Sequence, residues 1–228
     1  TVKSFFAHKH VICNFFHKMI KESGVKRIYI LHTSIEVMPE QITKDVYKIH
    51  GEGNVYVILN PEPFLIDASD NSDSKHILEE IKKVIDPEKI KTVLLTHLHY
   101  DHCGNIDLFP NAQVYVPEVE LENFKQTPDD FFIQGISQES RKMLENAKIL
   151  PSEINGLEVV KVPGHTRGSV TFLDKKRKLI FSGDTLFDNG IGRTDFANSL
   201  PGVMDDSVQK IQNLIEELGL TLCPGHDY

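Results

Sequence analysis

Apolar residues near the start of the chain recur at helical spacing. Residues 5–22 carry apolar pairs about one helical turn apart, which predicts an amphipathic helix that ends before a Ser-Gly pair. Two apolar segments, 27–32 and 35–38, then predict strands. We expect residues 1–45 to form an extension packed on the main domain, because an apolar helical face is normally buried. A dimerisation arm is the alternative.

From Val46 the pattern changes to short apolar strands separated by turn residues. The segments 46–50, 54–59 and 64–69 predict strands, with Gly-rich and Pro-rich turns between them. Apolar residues at helical spacing then predict a helix over about 73–85, which the following Asp-Pro pair ends.

The rest of the chain continues this alternation. The predicted elements are strands over 92–96, 113–117 and 157–162, a helix over 119–124, a hairpin over 169–174 and 178–184, a helix over 205–218 and a last strand over 220–226. Strands with interspersed helices predict two sheets packed face to face, with helices outside, in one domain over 46–228.

The composition excludes several classes of protein. The hydrophobic fraction of 40% is typical of an ordinary globular chain, and no apolar run is long enough to span a membrane. The net charge of −8 lacks the basic excess of nucleic-acid-binding proteins. Cys13, Cys103 and Cys223 are far apart and odd in number, so a reducing, cytoplasmic setting is expected. The expected partner is a small-molecule substrate, with neither nucleic acid nor membrane involved.

A dense group of ligand-type residues stands at the end of the predicted strand 92–96. The segment THLHYDH contains His97, His99, Asp101 and His102. Side chains alternate along a strand, so His97 and His99 point to the same side and could chelate one ion. A turn could aim the other two at a second ion. Imidazole and carboxylate ligands suit Zn²⁺, Fe²⁺ or Mn²⁺. Solvated histidines are the alternative, and the density of the pattern argues against it.

Three later segments place a ligand-type residue at a Gly turn after an apolar strand. His165 lies in VVKVPGHT, Asp184 in LIFSGDT and His226 in LTLCPGH. Each segment alone is a weak signal, because such turns are common and a histidine there is usually solvated. Their recurrence after the first cluster indicates one metal centre. Asp184 could bridge two ions through its two oxygens, as a two-metal hydrolase requires.

These motifs together resemble the metallo-β-lactamase superfamily, from about Val46 to the end of the chain. The resemblance implies an α+β fold, a four-layer αβ/βα sandwich with the metals at one edge of the two sheets, here with an N-terminal helix-strand extension. It also implies how the ligands divide. The first metal would be held by His97, His99 and His165, and the second by Asp101, His102 and His226, with Asp184 bridging.

Other motifs indicate a branch of the superfamily. Asp rather than Cys at position 184 is similar to the glyoxalase II branch. The segment LFDNGIGRTDF, residues 186–196, is similar to glyoxalase II-like hydrolases and to persulfide dioxygenases, and the ending PGHDY also occurs in dioxygenase-like members. Residues 97–112 are similar to lactone-hydrolysing members. The helical domain that full-length glyoxalase II carries after its last ligand does not follow His226, so glutathione specificity is not implied.

The resemblance therefore implies a metal-dependent hydrolase of a thioester or ester, in which metal-bound hydroxide attacks a carbonyl. We expect one or two divalent ions, with Zn²⁺ favoured over Fe²⁺ or a mixed Zn/Fe pair. Asp101 is the candidate to orient the nucleophile as well as to bind metal. Arg193 and Lys161 are candidates to bind an anionic substrate group, and solvated charge is an equal alternative for each. Tyr100 and Cys103 neighbour the ligands and are expected to support the site.

Other functions are left open as alternatives. A mononuclear iron persulfide dioxygenase is motivated by the GRTDF and HDY motifs, and a lactone hydrolase by residues 97–112. A non-catalytic module with this fold would be expected to lack some ligands, and the set is complete here. A homodimer is also left open.

Overall fold

The computed structural model describes residues 38–60, 62–127 and 133–227. The helix predicted over 5–22 and the strand predicted over 27–32 lie outside the described residues, as does nearly all of the strand predicted over 35–38. Where the chain is described, two β-sheets carry the fold and helices connect their strands.

The first sheet has seven strands, and their order in space is their order in the chain. They are β1 (Glu40–Thr43), β2 (Val46–Ile49), β3 (Val55–Ile58), β4 (Phe64–Ile66), β5 (Thr92–Leu94), β6 (Gln113–Val116) and β7 (Lys148–Ile149). β1 to β4 are antiparallel neighbours, whereas β4 to β7 are parallel and need crossover connections. The helices in these crossovers are α1 (Ser74–Val84), α2 (Tyr100–Cys103), α3 (Glu118–Gln126) and α4 (Gln138–Glu145).

The second sheet has five strands in the order β12-β11-β10-β9-β8. They are β8 (Glu153–Ile154), β9 (Leu157–Lys161), β10 (Val170–Asp174), β11 (Leu179–Gly183) and β12 (Thr221–Pro224). β8 to β11 are antiparallel neighbours, and β12 runs parallel to β11 after a crossover through α5 (Pro201–Leu218). Helix α5 begins at a proline, whose fixed φ suits a first helical turn, and ends at Gly219, whose φ is +62°.

Three apolar clusters arrange these elements in four layers. One cluster lies between the sheets and contains Phe64, Phe172 and Phe181, each at most 1% exposed. A second packs α1, α3 and α4 on the other face of the first sheet, and a third packs α5 on the other face of the second sheet. Neighbouring residues of β3 serve different clusters, since Ile58 faces the second sheet and Val57 faces the helices. The predicted four-layer αβ/βα sandwich is confirmed.

Most elements predicted within the described residues are confirmed, with shifts at their ends. Helix α5 begins at Pro201, four residues before the predicted start. The apolar pattern does not predict α4, because Met143 and Leu144 are its only large apolar side chains. It does not predict β1, β7 or β8 either, because each of these strands has only one large apolar side chain. Among the helices in the described ranges, none is long and apolar enough to cross a membrane.

Strand β1 lies within residues 1–45, which the sequence pattern assigns to an N-terminal extension. It pairs with β2, so residues 40–43 belong to the first sheet and this domain starts before the predicted boundary at Val46. The packing predicted for the extension otherwise concerns residues outside those that the structure describes.

Arg177, in the turn between β10 and β11, ties the two sheets together. Its guanidinium donates hydrogen bonds to Asp45 Oδ2 at 2.9 Å, Asp174 Oδ2 at 2.7 Å and the carbonyl oxygen of Asn60 at 2.8 Å. Asp45 and Asn60 stand at the ends of first-sheet strands, whereas Asp174 ends β10. The hydrogen bonds from Arg177 hold the pKa of Asp45 below its ordinary value.

We expect Arg177→Ala to lower the free energy of unfolding by about 2–3 kcal/mol at neutral pH, because two mostly buried carboxylates lose their cation. A carboxyl group with a lowered pKa contributes stability above its unfolded pKa and loses it as pH falls through the folded pKa. The difference should therefore shrink below about pH 4. Urea denaturation at neutral pH and below about pH 4 measures this difference in the free energy of unfolding. Lys176→Ala is the control, because Lys176 is exposed. Equal stability of Arg177→Ala and wild type at neutral pH would contradict this account.

Candidate metal centre

The seven predicted metal ligands come from segments at the ends of strands in both sheets. The first four follow β5 or lie in α2, the fifth lies between β9 and β10, the sixth follows β11 and the last follows β12. The fold brings all seven side chains together: His97, His99, Asp101, His102, His165, Asp184 and His226.

Three overlapping groups of these side chains have ligand atoms within 4.8 Å of one another. The groups are His97 with His99 and His165, His97 with His102 and Asp184, and Asp101 with His102 and His226. The first and last groups correspond to the two sets that the sequence resemblance implies.

The carboxylate of Asp184 lies between those two sets. Its Oδ1 is 3.1 Å from His102 Nε2. Its Oδ2 is 3.5 Å from His165 Nε2 and 3.3 Å from His226 Nε2. One carboxylate therefore faces histidines of both sets, which is the placement that a bridging ligand needs.

The three-histidine group fits a cation better than it fits hydrogen bonds among its members. His97 Nε2 is buried and has no hydrogen-bond partner. His99 Nδ1 and His165 Nε2 lie 2.9 Å apart. A hydrogen bond between the last two would still leave His97 Nε2 unsatisfied, whereas one divalent ion would satisfy all three nitrogens.

Burial keeps these three imidazoles neutral. It lowers the pKa of His97 well below its ordinary value, and the neighbouring imidazoles add to the effect. Burial also lowers the pKa of His99, to about 3, and lowers the pKa of His165. The neutral imidazole is the form that binds a metal ion, so these side chains need not lose a proton first.

The other half of the cluster is dominated by carboxylates. Burial lowers the pKa of His102, but Asp184 and Asp67 together outweigh burial and raise this pKa well above its ordinary value. Burial likewise opposes protonation of His226, and the hydrogen bond with Asp101 helps to raise its pKa to about 9. Burial raises the pKa of Asp184, yet the nearby His102 holds it well below its ordinary value. Ionised carboxylates thus face this half of the site, as a cation requires.

The histidines are also held through their second ring nitrogens. His165 Nδ1 lies 2.7 Å from the carbonyl oxygen of Arg193, and His97 Nδ1 lies 3.0 Å from Thr96 Oγ1. A carbonyl can only accept, so His165 carries a proton on Nδ1 and turns Nε2 towards the cluster.

Asp67 is a supporting residue that the sequence pattern does not reveal. It accepts hydrogen bonds from Thr96 N–H and Thr96 Oγ1, both at 2.8 Å, and its Oδ2 lies 2.9 Å from His102 Nδ1. Its φ is +57°, a conformation that costs a non-glycine residue energy and is found where structure demands it. The available signal is its position, since a carboxylate directly after the buried strand β4 needs a partner.

Asn198 is a second supporting residue outside the predicted set. Its Nδ2 lies 3.4 Å from His99 Nε2, while its Oδ1 is buried without a hydrogen-bond partner. Turning the amide by 180° lets Oδ1 accept a hydrogen bond from His99 Nε2–H, which leaves His99 Nδ1 to face the cluster.

The GRTDF segment serves the cluster through its backbone. A Cβ at Gly192 would collide with the carbonyl oxygen of Asp184, so only glycine allows this close approach. The carbonyl oxygen of Arg193 accepts from His165, but its guanidinium pairs with Asp195 at 2.8 Å and lies 4.5 Å from the ring centroid of Phe196. The side chain of Arg193, the predicted substrate-binding residue, is thus at the site but already engaged.

The remaining candidates lie in different surroundings. Lys161 is exposed and lines a separate cavity. Cys103 is fully buried, and burial raises the pKa of its thiol. Tyr100 is 42% exposed at the mouth of the cleft described next.

A cleft of about 500 Å³ opens onto the cluster. Its walls combine the ligand-type residues with four apolar or aromatic side chains, two of which are largely exposed. These four are Tyr100, Phe187, Ile191 and Phe196.

Comparisons with known proteins identify the family. The model of the metallo-beta-lactamase superfamily matches residues 50–226. A probable metallo-hydrolase of Streptococcus pyogenes is 34% identical over 173 residues, which cover 70% of this chain and 72% of that protein. A hydroxyacylglutathione hydrolase of Haemophilus influenzae is 31% identical over 121 residues, which cover 47% of this chain and 55% of that protein.

A solved structure is similar in fold. TTHA1623, crystallised in a di-iron-bound form, is 25% identical with a TM-score of 0.61, and the match covers 84% of this chain and 93% of that one. The resemblance drawn from the sequence motifs is therefore confirmed. The chain belongs to the metallo-beta-lactamase superfamily and is a metal-dependent hydrolase of that superfamily.

Proposed function

We propose that this protein hydrolyses thioester or ester bonds at a centre of two divalent ions, with Zn²⁺ as the favoured metal. The first ion is assigned to His97, His99 and His165. The second is assigned to Asp101, His102 and His226, with Asp184 between the two. The observation that carries this proposal is the Asp184 carboxylate, whose oxygens lie 3.1–3.5 Å from histidine nitrogens of both sets.

Divalent ions in such a site lower the pKa of bound water and polarise a carbonyl oxygen. The residues of the chain have separate tasks. Burial keeps His97, His99 and His165 neutral and therefore able to bind metal. Burial raises the pKa of Asp101, but its hydrogen bond with His226 and the nearby His102 together outweigh burial and lower this pKa, so Asp101 is ionised. A partly exposed carboxylate at the cleft can accept a proton from water and orient it towards a carbonyl carbon.

The walls of the cleft support an uncharged, apolar acyl group in the substrate. Ile191 is 46% exposed and lines the cleft together with aromatic side chains. The guanidinium of Arg193 already forms two hydrogen bonds with Asp195, at 2.8 and 3.0 Å. Asp195 therefore competes with an anionic substrate group for this guanidinium. The match to the hydroxyacylglutathione hydrolase named above covers only 55% of that protein, so its substrate does not carry over to this chain by similarity.

We expect Ile191→Glu to lower kcat/KM about tenfold for a thioester with an octanoyl group and much less for the acetyl thioester, because only the longer chain reaches the wall. Ile149→Glu is the matched control, since Ile149 is 51% exposed on β7 and does not line the cleft. Steady-state kinetics on the two thioesters measure the effect. Equal losses on both substrates, or none on either, would argue against an acyl-binding wall at Ile191.

The persulfide dioxygenase alternative loses much of its support when its motifs are placed in the fold. GRTDF positions His165 and Asp184, as described above. In HDY, Asp227 accepts hydrogen bonds from Lys48 and from Asn54 Nδ2 at 3.1 Å, and its Oδ2 lies 2.6 Å from His50 Nδ1. These contacts anchor the segment that carries His226. Both motifs therefore have structural roles that a hydrolase needs equally.

Activity assays on protein prepared without added metal separate the two functions. Turnover of thioesters, esters and lactones is measured beside O₂ uptake with glutathione persulfide, and the metal content of the same sample is determined. We expect thioester or ester hydrolysis with up to two metal ions per chain. O₂ consumption with one iron per chain and no hydrolysis would overturn the proposed function.

A further inference from the structure

Glu120, on helix α3, is a buried carboxylate that the proposed chemistry does not use. Its side chain is 3% exposed. Oε2 accepts the backbone N–H of Leu98 at 3.2 Å, and Oε1 accepts the backbone N–H of Gly168 at 2.9 Å. Glu120 lies in the first turn of α3, where the positive end of the helix stabilises a negative charge. Burying a charged group costs free energy unless it is well hydrogen-bonded, and these two contacts offset part of that cost.

The two contacts fall on the two segments that bear the three-histidine group. Leu98 stands between His97 and His99 in the chain, and Gly168 stands three residues after His165. One segment follows β5 of the first sheet and the other joins β9 to β10 of the second. One carboxylate therefore bridges segments from different sheets at the point where their histidines converge.

The fit between the second segment and the carboxylate is close. A Cβ at position 168 would lie 2.6 Å from Glu120 Oε1 and 2.7 Å from Glu120 Cγ. Real Cβ atoms do not approach other atoms so closely, and only glycine allows this segment to sit directly against the carboxylate. Any shift of the segment would move His165, whose Nε2 is 2.9 Å from His99 Nδ1.

We propose that Glu120 is a positioning residue for the metal centre. It sets the distance between the segment that carries His97 and His99 and the segment that carries His165. This distance determines the affinity of the three-histidine group for its ion. This inference rests on the proposed assignment of the three histidines as ligands. Glu120 acts through two backbone N–H groups and touches neither ion nor substrate. Groups that orient metal ligands from outside typically change metal affinity by 10–100-fold when they are altered.

The test is the affinity for Zn²⁺, measured by competition with a chromophoric chelator on the full chain. Glu120→Gln keeps the size of the side chain but turns an amide NH₂ towards one backbone N–H, so one of the two hydrogen bonds is lost. We expect its Kd for Zn²⁺ at the three-histidine group to rise about 10–100-fold. Glu122→Gln is the matched control, because Glu122 is exposed on the same helix; its Kd should equal that of wild type.

A second readout separates positioning from general stabilisation. The rise in Tm on adding Zn²⁺ should be smaller in Glu120→Gln than in wild type, because that rise depends on the metal affinity of the folded protein. If Glu120→Gln lowers Tm without metal but keeps wild-type Zn²⁺ affinity, Glu120 is only structural and the proposal is overturned. Absence of Zn²⁺ binding in wild type would instead refute the ligand assignment on which the proposal rests.

A second variant covers the case in which Glu120→Gln does not fold. Gly168→Ala keeps the carboxylate but forces Glu120 and the segment that carries His165 apart. It should weaken Zn²⁺ binding in the same direction, and Gly202→Ala, at an exposed glycine of α5 with open space around it, controls for the glycine replacement itself. Wild-type Zn²⁺ affinity in Gly168→Ala would overturn the proposal.

Discussion

Asp184→Asn should lower kcat/KM for thioester hydrolysis by about 10³-fold, because the loss of a shared anionic ligand removes several kcal/mol of transition-state stabilisation. Asp184 Oδ1 and Oδ2 face His102 Nε2 and His226 Nε2 at 3.1 and 3.3 Å. An asparagine offers one neutral oxygen and one NH₂ group there, so it cannot serve both halves of the site. We expect the variant to bind fewer metal ions per chain than wild type, as measured by elemental analysis of the purified protein.

The control for this variant lies four residues further along the chain. Asp188 is exposed and belongs to none of the candidate metal-binding groups in the described residues. Asp188→Asn changes the net charge equally and should keep wild-type activity and metal content. An Asp184→Asn protein that keeps wild-type kcat/KM and metal content would show that Asp184 does not bridge.

Asp67→Ala should have the second largest effect, on stability and on metal binding together. The variant loses the acceptor for Thr96 N–H, for Thr96 Oγ1 and for His102 Nδ1, and unsatisfied buried groups cost about 1–3 kcal/mol each. Alanine also tolerates the φ of +57° poorly. We expect the free energy of unfolding of the metal-free protein to fall by about 3 kcal/mol. The Kd for Zn²⁺ at the site that includes His102 should rise about 10–100-fold.

Asp67→Asn is the matched variant for this experiment. Asparagine adopts positive φ readily and keeps one acceptor oxygen, so its effects should lie between those of wild type and Asp67→Ala. Denaturant unfolding of metal-free protein and chelator competition measure the two effects separately. Wild-type Zn²⁺ affinity in Asp67→Ala would mean that His102 does not depend on Asp67 for its orientation.

The location of the candidate site was predictable because its members are encoded in short motifs. His97, His99 and His102 fall within six positions, and His165 and Asp184 each follow an apolar strand and a glycine. Strand ends from both sheets meet at one edge in this fold, so ligand-type residues at strand ends converge. Local patterns were therefore enough to name the residues that the structure brings together.

The supporting residues were not predictable by the same means. Asp67 and His102 are 35 residues apart, and Glu120 and Leu98 are 22 apart. Each is a single acidic residue in an ordinary segment, and only the three-dimensional fold shows that it is buried against a ligand-bearing segment. Asn198 has the same character, since an asparagine in a connecting loop is usually a turn residue.

The role of Arg193 shows a further limit of reading motifs. A cation beside a metal cluster suggests a contact with an anionic substrate, yet its guanidinium is engaged by Asp195 while its carbonyl oxygen orients His165. Backbone contacts of this kind leave no trace in residue type. The glycine of the same motif was the better signal, because Gly192 has no room for a Cβ against Asp184.

Anomalous diffraction at the zinc and iron absorption edges, from crystals of the protein as purified, tests the central claim most directly. We expect a peak at one or both edges among His97, His99 and His165, and a second peak among Asp101, His102 and His226 when both sites are filled, with Asp184 between them. Active, hydrolysing protein without a peak at either edge within this cluster would contradict it.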